Sequence, residues 1–414
     1  MMVISEKVLK HAILCEEICR TRFSEIEEIS FANTKKVLEA FQKERVSESC
    51  FSGTTGYGYD DIGRDTLDRV FADVFKAEAA LVRIGFVNGT HAISTAIMAM
   101  LSPGDVLLSV TGSPYDTLRA TIGADDRLHG SLGFYGIGYR QIEMNETGTP
   151  DIPNIRKAAA DAAVKAILIQ RSRGYSLRKA LSVDEIAEVC ACIKEVNPGA
   201  SILVDNCYGE FTEEKEPLEA GADLIAGSLI KNPGGGIAPA GGYIAGKKEL
   251  VKKAAMCLTT PGIGGECGAT LGNNRLLFQG LYYAPHCVSQ ALKTAVLCSA
   301  LMEDLGMETS PLWNEKRSDI IQAVNLGTRQ RMVSFCKGIQ SGSAVDAYVS
   351  PEPWKMPGYD CEVIMAAGNF IQGASLELSA DGPVREPYTV YLQGGLTYEA
   401  GKLGIMNAVS AMMD

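Results

Sequence analysis

The chain has 414 residues, 46% hydrophobic and 21% charged, a globular composition that excludes a disordered chain and predicts two or three domains. Its 39 Lys and Arg against 50 Asp and Glu leave a net charge of −11. That excludes a general binder of nucleic acid or anionic membrane, since both need surplus positive charge.

The first twenty residues, MMVISEKVLKHAILCEEICR, break every apolar stretch with charge. They carry no signal-peptide core, and no run approaches the roughly 18 apolar residues of a membrane span. A soluble, cytoplasmic protein is expected. Residues 5–45 read as helical, with Val8, Ile13, Leu14 and Ile18 near helical spacing, continued by Phe23, Ile26 and Ile29. The glycine and aromatic stretch FSGTTGYGYDDIGRD follows at 51–65, then a predicted helix over 66–78. Strand and helix signals then alternate. Strands are predicted at 80–84, 106–110, 166–170, 201–205 and 224–228, with helices at 92–101 and 182–196. Ser182 and Glu185 form a capping box for the latter. Apolar strands separated by helices predict a mainly parallel α/β sheet. A long helix over 286–305 leads out of it. Beyond residue 310, alternating segments such as CEVIMAAG, SLELSA and YTVYLQGG, with a C-terminal helix, predict a smaller α+β unit.

Two residue counts add to this. The 12 cysteines are scattered, none in CxxC spacing, and there are 4 histidines. No metal site is expected, and the cysteines read as reduced, mostly buried thiols. The 43 glycines are about a tenth of the chain, above the usual level of about 7%. Such a surplus is often used where backbone approaches a ligand.

Open α/β sheets bind ligands beyond the carboxyl ends of their strands. After 80–84 comes Asn88-Gly89-Thr90-His91, which opens a helix and presents free N–H groups to an anion, or is a plain cap. Asp205 ends the strand SILVD, either satisfied locally or paired with a cation. Lys231 follows LIAGS and precedes Gly234-Gly235-Gly236. It is either a snorkelling lysine or a desolvated amine with a lowered pKa, nucleophilic towards carbonyls. Together these are the parts pyridoxal 5′-phosphate requires: an anion site for its phosphate, a carboxylate for its ring nitrogen and an amine for its aldehyde.

The chain order of phosphate site, Asp and Lys resembles the fold type I enzymes, which include the aspartate aminotransferase and cystathionine lyase groups. The blocks GTTGYGYDDIGRDTLDRVFADVFKAEAALVR, NGTHAI, IQRSRGYS, VDNCYGEF, GSLIKNPGGGIAPAGGYIAG and PGIGGECGAT resemble the methionine gamma-lyase-related family, whose members are often labelled aluminium resistance proteins or carbon–sulfur lyases. The resemblance runs from about residue 45 to the C-terminus. It implies an N-terminal helical segment (1–50), a large pyridoxal-phosphate domain with a seven-stranded sheet (51–305) and a small C-terminal domain (306–414).

It also implies roles. Lys231 binds the cofactor aldehyde and later moves the substrate's Cα proton. Asp205 pairs with the ring nitrogen. Gly89 and Thr90 hold the phosphate, Thr90 and Ser228 add hydroxyls, and His91 reaches the phosphate or ring. Tyr115 stacks on the ring. Tyr57 or Tyr59 serves a neighbouring subunit. The family's Tyr-x-Arg is absent there, leaving Arg64 as a candidate charge or as a helix-start ion pair. Arg385 binds the substrate carboxylate, with Arg171 and Arg173 as competitors. The asparagine that related enzymes place after the 166–170 strand reads here as Gln170-Arg171-Ser172-Arg173. The segment 261–265 sits at a shared site of a homodimer or tetramer. Most of the glycines are then expected around the cofactor.

The implied reaction is β- or γ-elimination from a sulfur amino acid such as cysteine, cystathionine or methionine. An aminotransferase, a desulfurase, a retro-aldol enzyme, a cofactor-binding regulatory protein and a nucleotide binder are the alternatives. The last leaves Asp205 and Lys231 unexplained.

Overall fold

The computed structural model describes residues 2–355 and 361–413. In chain order its elements are α1 (Glu6–Ile18), α2 (Arg20–Lys43), α3 (Ile62–Val74), β1 (Ala79–Arg83), α4 (Gly89–Met100), β2 (Val106–Ser109), α5 (Asp116–Ile122), β3 (Gly138–Gln141), α6 (Ile152–Ala159), β4 (Val164–Gln170), α7 (Val183–Val196), β5 (Ser201–Asp205), β6 (Leu224–Ser228), β7 (Gly242–Gly246), α8 (Lys248–Leu258) and α9 (Asn274–Asp304). Then follow β8 (Glu308–Ser310), β9 (Gln322–Asn325), α10 (Arg329–Ser341), β10 (Trp354–Lys355), β11 (Glu362–Ala367), β12 (Ser379–Pro383), β13 (Thr389–Gln393) and α11 (Tyr398–Met413).

Strands β1–β7 form one sheet in the order β1-β7-β6-β5-β4-β2-β3. Only β7 runs against its neighbours, β1 and β6. The other strands therefore point one way and share one carboxyl edge. Helices cover both faces, so β5 and β6 are almost entirely buried and read as continuous apolar runs rather than alternating ones. Strands β8–β13 form a second, wholly antiparallel sheet in the order β10-β11-β12-β13-β9-β8. A large, mainly parallel seven-stranded sheet and a smaller antiparallel one make the α/β architecture expected from the sequence.

Of the differences from the sequence-based expectation, three have a clear local cause. Helix α3 starts at Ile62, not 66, because the Asp61 carboxylate accepts the Arg64 N–H at 2.9 Å and caps it one turn earlier than its apolar face begins. Helix α9 starts at Asn274, not 286, and runs through Pro285. Burial of Leu277, Phe278 and Leu281 against the rest of the core holds the first turns despite the proline. The alternating SLELSA does not form a strand until Ser379. Its Glu377 instead accepts the N–H groups of Phe370 and Ile371 at 2.8 and 3.0 Å and pins a turn.

The N-terminal helices lie on α9. The Phe41 and Phe278 rings meet edge to face at 5.7 Å, and the Ser30 hydroxyl donates to the Pro285 carbonyl. All 12 cysteines are free thiols; Cys257 is exposed, Cys361 half-buried and the rest buried.

Candidate active site

The carboxyl edge of the large sheet faces the small sheet across a cavity of about 350 Å³. Its floor comes from the large sheet. Helix α4 brings Gly89 and Thr90, the end of β5 brings Asp205, and the end of β6 brings Ser228 and Lys231. The first N–H groups of α4 have no intrahelical partner and carry the positive end of the helix dipole. Asn88 caps this helix through the His91 N–H (2.8 Å), leaving the groups before it directed outward. A Cβ at Gly89 would lie 3.2 Å from Ser228 Cβ and 3.5 Å from Cys207 Sγ, so this cradle is tight for any side chain.

Asp205 is buried, and its Oδ1 accepts the Cys207 N–H at 3.1 Å. Burial raises its pKa, opposed by the nearby Lys231 charge. Lys231 Nζ lies 3.8 Å above the centre of the Tyr208 ring. Burial pulls the ammonium pKa down, but Cys207, Tyr208 and Asp205 outweigh it, and the net shift is upward. Of the two readings of Lys231, the amine with a lowered pKa does not hold, because desolvation is offset where acidic groups surround the amine.

The roof comes from the small sheet, two residues from each of three strands: Met365 and Ala367 from β11, Ser379 and Asp381 from β12, and Tyr391 and Gln393 from β13. Register aligns them into the rows Met365–Asp381–Tyr391 and Ala367–Ser379–Gln393. At the side, Tyr115 is 39% exposed and lines the cavity. Its N–H donates to Gln170 Oε1 at 2.8 Å, so Gln170 sits where an asparagine was expected and holds the Tyr115 loop. The Thr90 hydroxyl lies 2.8 Å from that of Thr117.

The two arginine competitors separate cleanly. Arg171 is fully buried and committed to Asn206 Oδ1 (2.8 Å) and Glu213 Oε1 (2.8 Å), with Glu216 at 3.6 Å. Arg173 is 1% exposed and gives one nitrogen to Ser310 (2.8 Å to the carbonyl), while its Nε and Nη2 have no partner. Arg173 and the exposed Arg385 line a second cavity of about 690 Å³, which shares Tyr115, Gln170, Gly174 and Tyr175 with the first.

Other expected residues lie elsewhere. The His91 Nδ1 accepts the Val87 N–H at 3.2 Å, its ring stands edge-on to Phe86, and it does not line the cavity. Tyr57 and Tyr59 stack on each other at 5.7 Å, 73% and 56% exposed, away from this chain's cavity. Arg64 is buried, with one nitrogen on Asp65 (2.9 Å) and others on the carbonyls of Gly58, Gly268 and Glu266. It ties the Tyr57 loop to the segment that follows 261–265.

The glycine expectation is corrected as well. Of the glycines singled out, only Gly89 lines the cavity. A Cβ at Gly235 (φ +54°) would lie 2.3 Å from the Gly280 carbonyl oxygen of α9. One at Gly53 would lie 2.3 Å from the Gly272 nitrogen. Gly235 and Gly53 let backbone pack on backbone within this chain.

Comparison with known proteins then decides the family. The methionine gamma-lyase family model matches residues 8–413. The chain belongs to this family. It is 50% identical over 390 residues to the uncharacterized protein YnbB of Bacillus subtilis, covering 94% of this chain and 92% of that one. It is 27% identical over 206 residues to the L-methionine gamma-lyase of Pseudomonas putida, covering 50% and 47% of the two chains. The crystal structure of a carbon–sulfur lyase involved in aluminum resistance from Clostridium novyi NT superposes with a TM-score of 0.95 at 50% identity, covering 98% and 96%.

The chain is a carbon–sulfur lyase dependent on pyridoxal 5′-phosphate. The residues present fit that cofactor. A side-chain-free helix start, a buried carboxylate and an amine share one cavity.

Tyr208 and the roof residues were missed from sequence, and Gln170 was named there without a role. Tyr208 adjoins Asp205 within VDNCYGEF, and its position there is a signal. Asp381 carries none, since SADGP reads as a turn.

Proposed function

We propose that the chain eliminates the sulfur substituent from a sulfur amino acid, releasing a thiol, ammonia and a keto acid. One observation carries this reading: Gly89, Ser228, Asp205 and Lys231 converge on a single cavity from three separate strand ends. Pyridoxal phosphate, when bound, supplies an electron sink for the bonds at Cα.

The protein's residues do the rest. The Gly89 and Thr90 N–H groups, with the Thr90 and Ser228 hydroxyls, bind phosphate. Asp205, ionised by a cationic partner, keeps the ring nitrogen protonated. The Tyr115 ring, at the side of the cavity, would lie against the cofactor. Arg173, with two unpartnered nitrogens, and Arg385 supply the fork for the substrate carboxylate. Lys231 would hold the aldehyde and give way to the substrate's amine, and its freed Nζ would take the Cα proton. The C–S bond breaks with its electron pair on sulfur, which leaves protonated as the thiol. Water completes the release of ammonia and keto acid. Met365, Ala367 and Ile321 give the cavity apolar surface that suits a thioether chain, beside the polar Ser379, Asp381 and Gln393. Tyr57 and Tyr59, exposed and stacked, are available to a neighbouring copy's site, so we assign the working unit as a homodimer or a pair of dimers.

Purified protein reconstituted with the cofactor should be yellow, and borohydride should fix the label on Lys231. Sulfur amino acids should release ammonia and keto acid with no amino acceptor present. A colourless wild type, or release that requires an amino acceptor, overturns the reading.

A further inference from the structure

One ionisable group in the cavity has no task in the chemistry above. Asp381, on β12, faces the cavity from the small sheet, between Met365 and Tyr391 in its cross-strand row. Its partners are neutral donors: a long hydrogen bond from Gln393 Nε2 (3.5 Å) and one from Tyr175. Burial raises its pKa to about 7, against the pull of those two bonds. A carboxylate held by neutral donors in a partly enclosed site is costly unless a cation meets it. Lys231 is on the opposite wall and answers to Asp205. Arg173 and Arg385 act on Tyr391, the next residue in the row.

We propose that Asp381 is a specificity residue that receives a second, cationic amine at the far end of the substrate's sulfur substituent. The inference rests on the lyase reading and narrows its substrate class. The substrate's own α-amine is consumed at the cofactor and is not available to Asp381. Apolar surface from Met365, Ala367 and Ile321 beside an acid that has neutral partners fits a thioether whose leaving group carries an ammonium. It disfavours a methionine-like chain that ends in a methyl.

The test compares two thioethers that differ by that amine alone, L-cystathionine and S-(3-carboxypropyl)-L-cysteine. For the wild-type holoenzyme, kcat/KM should favour cystathionine by about tenfold or more, the scale of discrimination a lost charged contact produces. Asp381→Asn keeps the side chain's shape and should bring that ratio to about one, by raising KM for cystathionine with kcat nearly unchanged. Its turnover of the des-amino analogue and its cofactor absorbance report an intact fold. A wild type with no preference, or a variant that keeps it, overturns the assignment. If neither thioether is turned over while the cofactor band is intact, the lyase reading falls. The same ratio taken from calorimetric dissociation constants still decides the role of Asp381.

Discussion

The floor and the roof of the cavity are built by two kinds of sheet, and each presents its side chains differently. The floor belongs to the large, mostly parallel sheet, and its residues stand where strands end: Asp205 after β5, Ser228 and Lys231 after β6, Gly89 at the start of α4. Both faces of those strands are buried, so only the ends are free to meet a ligand. The roof belongs to the antiparallel sheet, where one face is turned to the cavity and every second residue reaches it. A floor residue is therefore fixed by its place in the chain order. A roof residue is fixed by register, and a slip of one would exchange the whole set for its neighbours. The floor suits the cofactor's constant demands, and the roof suits discrimination between substrates.

If this division holds, floor variants should lose chemistry and roof variants should lose selectivity. The largest loss is expected for Lys231→Ala, which should be colourless with added cofactor and slower by about 10³-fold or more in elimination. Measurable turnover with a normal absorption band would break the division at its strongest point. Asp205→Asn should retain phosphate-driven binding yet lower kcat by about 10²-fold, a cost typical of losing one preorganised electrostatic partner. Fluorescence titration of cofactor beside single-turnover kinetics checks both halves. Arg173→Ala should raise KM by about 10- to 100-fold with a smaller change in kcat, as for removal of a charge-assisted bond. An unchanged KM would hand the carboxylate to Arg385.

The smaller effects concern stability. Gly235→Ala forces a Cβ against the Gly280 carbonyl in a left-handed conformation, and should cost about 1–3 kcal/mol in denaturant unfolding without moving KM. Asp381 gives the subtlest signal. Its folded pKa of about 7 is above its unfolded value. The unfolded chain therefore loses this proton first, and stability falls as pH rises from about 4 to about 7, then levels. Asp381→Asn should flatten that part of the stability–pH curve, and an unaltered slope would show the acid to be ionised throughout.

Much of the floor was legible in the sequence because a strand end followed by a turn leaves a local mark. SILVD-N, LIAGS-LIK and NGTHAI each combine an apolar run with one polar residue at its end. Arg171 and Arg173 share that mark, and two residues of separation send one into an acidic pocket and the other to the second cavity. No local signal distinguishes them. His91 read as a phosphate ligand, yet the Val87 N–H holds its Nδ1. The glycine surplus misled for a similar reason. Gly235 needs Gly280, 45 residues later, to explain it, and a close approach of two backbones leaves no pattern in either segment.

The sequence by itself determined the alternation of strand and helix, the single direction of most of the large sheet, and the residues that terminate its central strands. These follow from hydrophobic periodicity and capping, which act over a few residues. Tertiary structure alone decided which arginine keeps free nitrogens, which glycines let backbones meet, and that Met365, Asp381 and Tyr391 form one row lining the same cavity as Lys231. Those outcomes depend on register between strands and on contacts across hundreds of residues, where burial and pairing are set by the whole fold.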